Sequence, residues 1–278
     1  MTQFAATEAD AAPHISIAAE PIFHIGSLAI TNSMIMGVMG YALLLWIFVY
    51  TARVVKTGAK RNKVVQMVTW VYEMLYSTVL QIVGDRELAR KIAPLPISLF
   101  FFIIVQYWIG ILPFVGPISW NGVPLFRGLA ADLNTTFALA IVTMVAAQLY
   151  AIKVHGIFGS AGRYLRNPIK DPAGAFEGIL ELIAEFSRLV GLSFRLFGNV
   201  FAGEVLLVII AFLTKYAAVA ALPPFYIFEL FIGSIQAYIF FMLTTVFISL
   251  GLISHDAHSD EAHSPADTQR IAASETTN

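Results

Sequence analysis

The chain contains no cysteine, which excludes disulfide staples, thiol catalysis and thiolate metal sites. Charge is scarce: 13% of the 278 residues are Asp, Glu, Lys or Arg, and they nearly cancel to a formal net charge of -1. No basic surface is left for nucleic acid. Residues 1–27 carry Glu8, Asp10 and Glu20, with no basic stretch leading into an apolar core, so they do not read as a cleavable signal peptide. No internal repeat of the kind found in secondary transporters is visible. What the chain does have is apolar surface. Hydrophobic residues make up 58% and the mean hydropathy is +0.75, which implies an all-α integral membrane protein.

The pattern implies about five membrane helices and one amphipathic surface helix, behind an external N-terminal segment over 1–27. Residues 28–51 are uncharged, and about 24 residues at about 1.5 Å rise cover the hydrocarbon core. Arg53, Lys56, Lys60, Arg61 and Lys63 follow without an acid among them. Short basic loops stay in the cytoplasm, so the N-terminus is expected outside and the C-terminus inside. In 64–83, Val64, Val65, Val68, Val71, Leu75, Val79 and Ile82 recur at helical spacing between Gln66, Glu73 and Gln81, as on an amphipathic helix at the cytoplasmic surface. A polar turn around Asp85 to Lys91 precedes a span over 95–115, with Tyr107 and Trp108 fitting interfacial aromatic positions. The Gly- and Pro-rich loop after it carries Arg127 as its one charge and is expected outside.

Asp132 offers an N-cap for a span over 131–152. Lys153, Arg163, Arg166 and Lys170 then mark the cytoplasmic side again. From 173 to 214 no proline intervenes, and so long a helix must tilt strongly, lie partly along the membrane, or break, with Gly191, Gly198 and Gly203 as candidate bends or close-packing points. Pro223 and Pro224 restart the chain into a second long helix over 224–253, forming a hairpin with the first. Residues 254–278 alternate histidines with acids and small residues, as in a flexible cytoplasmic tail, without the rigid scaffold a metal needs. No cofactor is implied.

Polar side chains inside the hairpin are the chemical signal, because a charge at bilayer depth costs roughly 2.5–3.5 kcal/mol. At about 100° per residue, Glu177, Glu181, Glu185, Arg188, Arg195 and Asn199 share one stripe, and Glu204 falls on the opposite face. On the return helix Glu229 and Gln236 share a face. An antiparallel hairpin levels Gln236 with Arg195 and Glu229 with Glu204. Two adjacent carboxylates away from water suit a proton relay; a structural polar network fixing helix packing is the alternative. Arg188 lies one turn from the Glu181 to Glu185 pair, as a salt-bridge partner would. Arg195 has no acid on its own turn, and an arginine cannot be neutralised. Its anion is expected on another chain.

The run Phe194-Arg195-Leu196-Phe197-Gly198-Asn199 with Ala202-Gly203-Glu204, followed by Gln236-Ala237-Tyr238-Ile239-Phe240, resembles the subunit a family of the F-type ATP synthase membrane sector. Ile30-Thr31-Asn32 and Asp132-Leu133-Asn134 extend the likeness. The resemblance implies a stator in the bacterial inner membrane, lying against a rotating ring of c subunits, with two offset half-channels, a subunit b stalk and the remaining synthase subunits as partners. It implies that Arg195 meets the ring carboxylate with Gln236 as its partner, that Asn199 and Glu204 occupy half-channel positions, and that Glu181 is an acid on the cytoplasmic exit side. Where some bacterial members have a histidine, this chain has Glu229. Two other classes compete. A transporter or channel using Arg195 for an anionic solute would show repeats or a broken helix, and an intramembrane enzyme would show a catalytic motif; neither is evident.

Overall fold

The computed structural model describes residues 16–26, 28–112, 115, 118–120, 123–164 and 172–253. The expected tail over 254–278, and Arg166 and Lys170, lie outside the described residues.

The described chain opens on an antiparallel hairpin of β1 (Pro21–Ile25) and β2 (Leu28–Thr31), a departure from the expected span start at residue 28. Thr31 is extended and caps the first helix, and the Asn32 side chain is occupied by the Glu20 amide and the Pro124 carbonyl. The helix α1 therefore runs over Asn32–Thr57 rather than 28–51. The amphipathic segment is α2 (Lys63–Val83), which buries Val65, Leu75 and Val79. The expected polar turn is instead a short helix, α3 (Arg86–Ile92). The Asp85 side chain accepts from the Glu87 amide at its start, while Arg90 and Lys91 complement the dipole at its end.

A bend of 42° separates α3 from α4 (Pro94–Gly110). This helix is shorter than the expected 95–115, ending where Gly110 meets the backbone of Gly128. Apolar over most of its surface, α4 packs between α1 and α7. Phe101 stacks edge-on with Phe48 of α1, and Phe100 edge-on with Phe241. On its α1 side, Gln106 fits against Gly40 and donates to the Gly37 carbonyl, a close approach of the kind small residues permit between membrane helices.

A two-stranded turn of β3 (Ser119–Trp120) and β4 (Val123–Pro124) and a 3-10 turn (Leu129–Ala131) lead to α5 (Leu133–Tyr164). Asp132 accepts from the Asn134 amide at its start, as expected, and Gly156 (φ 75°) breaks its regularity. Buried Thr136 meets Ser193 at 3.1 Å, joining α5 to α6 (Pro172–Thr214). Of the three alternatives for this long segment, a break is excluded, because α6 is continuous.

After a 3-10 turn (Lys215–Ala217), α7 (Ala218–Ile253) begins six residues before the expected start at 224. Pro223 and Pro224 lie inside it. The carbonyls their missing N–H groups leave free belong to Val219 and Ala220 at an exposed helix start, Val219 being 87% exposed, so the loss is cheap. As α6 climbs from Asn199 to Gly203, its partner on α7 steps back from Gln236 to Glu229. The two helices thus form the expected antiparallel hairpin.

Three stretches are long and apolar enough to cross a membrane, or four with the bent α3–α4 pair, and the last contains both α6 and α7. The long helices α1, α4, α5, α6 and α7 agree with the five expected, and the chain is an all-α membrane protein apart from its two small hairpins.

Candidate functional site

Arg195 lies on an exposed face of α6 and makes no hydrogen bond or ion pair among the described residues. At about 100° per residue, Gly191, Gly198 and Ala202 fall within about 60° of it on the same face. Gly191 and Gly198 open onto space free of other atoms, and Ala202 is exposed. Bare backbone thus flanks a solitary guanidinium, leaving room for another helix to approach closely.

Gln236 does not hold Arg195, contrary to expectation. Its side chain, 1% exposed, accepts a hydrogen bond from the Asn199 amide at 2.7 Å, one turn further along α6. Asn199 completes the amide pair across the hairpin, and the guanidinium stays exposed. The Gln236 Nε2 is left buried without a partner among the described residues.

The two acids expected to face one another each take a partner from elsewhere in the chain. Glu204 turns toward the loop before α5, where its carboxylate accepts from the Gly128 amide at 3.0 Å and lies 3.8 Å from the Arg127 guanidinium. Glu229, 3% exposed, accepts instead from the Tyr107 hydroxyl of α4. Its carboxyl occupies the space a side chain at Gly203 would fill, so it sits beside the residue preceding Glu204 but on another face of α6.

Two residues here escaped the sequence reading. Tyr107 reads as an interfacial aromatic beside Trp108, yet it is 1% exposed. Arg127 reads as a loop charge, yet it is 8% exposed and donates to the carbonyls of Ile17, Ala18 and Ala131. The signal available was slight: a lone arginine in an otherwise uncharged loop leading to a buried helix start.

At the other end of the hairpin, Glu185 accepts from Gln148 of α5 at 2.5 Å. These two line a small recess between α5, α6 and α7 together with Arg188 and Gly251. Arg188 lays its guanidinium over the Phe247 ring, 5.5 Å from its centroid, and makes no ion pair among the described residues, so the expected pairing with Glu181 and Glu185 is not formed. Glu181 is half-buried and Glu177 exposed on the same stripe. Arg195 therefore stands between two groups of acids, one engaged by Tyr107, Arg127 and Gly128 and the other by Gln148.

The family model described as ATP synthase A chain matches residues 34–249. The chain belongs to the ATP synthase A chain family. It is 31% identical over 239 residues to ATP synthase subunit a of Aliivibrio salmonicida (strain LFI1238), covering 84% of this chain and 85% of that one. It is 30% identical to ATP synthase subunit a of Aeromonas salmonicida (strain A449), covering 81% and 88%. It is 33% identical to ATP synthase subunit a of Mycobacterium leprae (strain TN), covering 62% and 67%. The family match spans α1 through nearly the whole of α7, so Arg195, both acid clusters and the Asn199–Gln236 pair all fall within the ATP synthase A chain region.

Proposed function

We propose that this chain is the proton-translocating stator subunit a of an F-type ATP synthase. It holds two offset half-channels against a rotating c-ring, and Arg195 meets each ring carboxylate as it passes. The observation that carries the proposal is the solitary, outward-facing Arg195 between bare Gly191 and Gly198. A fixed cation in an apolar surrounding needs an anion, and nothing described on this chain supplies one. The ring carboxylate does, and the small residues admit the helix that bears it.

The outer half-channel runs past Glu229 and Glu204, and the inner one past Glu185, Glu181 and Glu177. Asn199 and Gln236 hold the hairpin together beside the arginine, which blocks direct leakage between the halves. The N-terminus is outside and the C-terminus cytoplasmic in a bacterial inner membrane. Subunit b and the remaining synthase subunits complete the complex.

Because the chain has no cysteine, Gly198→Cys places a single thiol on the proposed ring face. In membranes that also carry a cysteine on the outer helix of the ring protein, mild oxidation is expected to give a disulfide-linked product of this chain and one small ring subunit. A Gly198→Cys chain that assembles but crosslinks to no ring cysteine, scanned along that helix, contradicts the proposal.

A further inference from the structure

We propose that Tyr107 is a positioning residue for Glu229, and that Glu229 rather than Glu204 is the acid through which the outer proton path passes. This rests on the outer acids forming a half-channel and names the proton-carrying group within it.

Three helices are shaped around one O–H to carboxyl contact. Tyr107 from α4 donates to Glu229 of α7, and both are almost wholly buried. A side chain at Gly203 on α6 would overlap the carboxyl, and one at Gly233 on α7 would overlap the Tyr107 ring. The neighbours Phe100 and Phe101 show that an apolar ring is compatible with this helix. A buried phenol hydroxyl needs a partner, and this one finds an acid.

The partners of the two acids differ in kind. Glu204 is met by the Arg127 guanidinium and the Gly128 N–H, groups that only donate, so they suit the carboxylate and offer no acceptor to the O–H of the carboxylic acid. A phenol hydroxyl both donates and accepts. It donates to the Glu229 carboxylate and, after rotation about its C–O bond, accepts from the protonated carboxyl. Tyr107 keeps its own proton throughout; the transferred proton arrives on Glu229 and leaves from it. The titratable and charged groups around Glu229 are Tyr107 from α4, Glu204 from α6 with Arg127 behind it, and Tyr226 one turn away on its own helix.

The test uses the intact complex in vesicles, with passive proton conduction through the membrane sector measured as outer pH is varied at fixed inner pH. Tyr107→Phe keeps the ring against Gly233 and is expected to lower conduction on the order of tenfold, the effect of one hydrogen bond, and to move the outer-pH profile. In a Glu229→Gln background the same change is expected to add nothing. Fluorotyrosine incorporated at position 107 alters the phenol's acidity with little change in shape; it is expected to move the profile with assembly intact, and it decides the matter alone if Tyr107→Phe does not assemble. An unmoved profile with fluorotyrosine, or a Tyr107→Phe effect that multiplies fully with Glu229→Gln, overturns the proposal. Arg195→Ala in parallel separates the two levels: normal synthesis there sinks the stator function itself, whereas lost synthesis with an unmoved Tyr107 profile sinks only the role given to Tyr107.

Discussion

The Asn199 amide donates to the Gln236 carbonyl oxygen at 2.7 Å across the α6–α7 hairpin, which leaves Arg195, one turn away, facing out of the protein without a partner among the described residues. The amide pair acts as a clasp between the helices and leaves the guanidinium available to something outside the chain.

The clasp is asymmetric, and its two single substitutions are expected to differ. Asn199→Leu strands the buried Gln236 carbonyl beside an amide nitrogen that already lacks a partner, at a cost of about 1–3 kcal/mol. Gln236→Leu removes the partnerless nitrogen together with the carbonyl and leaves only the half-buried Asn199 amide without its partner, so it is expected to cost less. Thermal unfolding of the purified complex checks this, with Asn199→Leu lowering the midpoint more than Gln236→Leu.

Gly203→Ala drives a methyl group into the Glu229 carboxyl. The overpacking is expected to cost about 1–3 kcal/mol and to break the Tyr107 contact. Shortening the acid with Glu229→Asp in the same chain withdraws it from the new methyl and is expected to restore part of the stability. Equal unfolding midpoints for the single and double variants would show that the niche is looser than the close approach implies.

Arg127 ties the segment before β1 to the Glu204 side of the bundle, donating to Ile17 and Ala18 while lying 3.8 Å from Glu204. Arg127→Ala is expected to raise amide hydrogen exchange around β1, and to destabilise by about 1–3 kcal/mol, since the half-exposed Glu204 partly rehydrates. Arg127→Lys cannot reproduce the fork of donors and is expected to fall between the two. Protection of 17–25 unchanged in Arg127→Ala would mean that the hairpin, not the arginine, holds the strand.

At the inner end, Glu185→Gln keeps a partner for Gln148 but removes the charge. Proton release on the C-terminal side of the hairpin is expected to slow with little loss of stability. A conduction rate equal to that of the parent complex would return Glu185 to a purely structural role.

Much of this architecture was legible because bilayer thickness and hydropathy leave few choices: the spans, the amphipathic α2 and the hairpin follow from run length and period. Boundaries were less so. Residues 28–31 are as apolar as a span, but Thr31 caps and Asn32 bridges to Glu20 and Pro124, contacts invisible to a hydropathy count. Pro223 and Pro224 signal a restart, but early in a helix whose preceding carbonyls are exposed they are tolerated. Within the site, helical periodicity identified which residues share a face but not what reaches them from other helices. Tyr107 and Arg127 come from elements distant in sequence, and each engages one of the two carboxylates that the hairpin alone would pair.

The central claim is that Arg195 faces outward to serve a carboxylate on a rotating neighbour, and proton-driven ATP synthesis by the Arg195→Ala complex in energised vesicles tests it most directly. The account predicts a fully assembled complex, since an exposed side chain without partners among the described residues contributes little to folding, together with loss of synthesis. Synthesis at the parent rate from the assembled Arg195→Ala complex would contradict it.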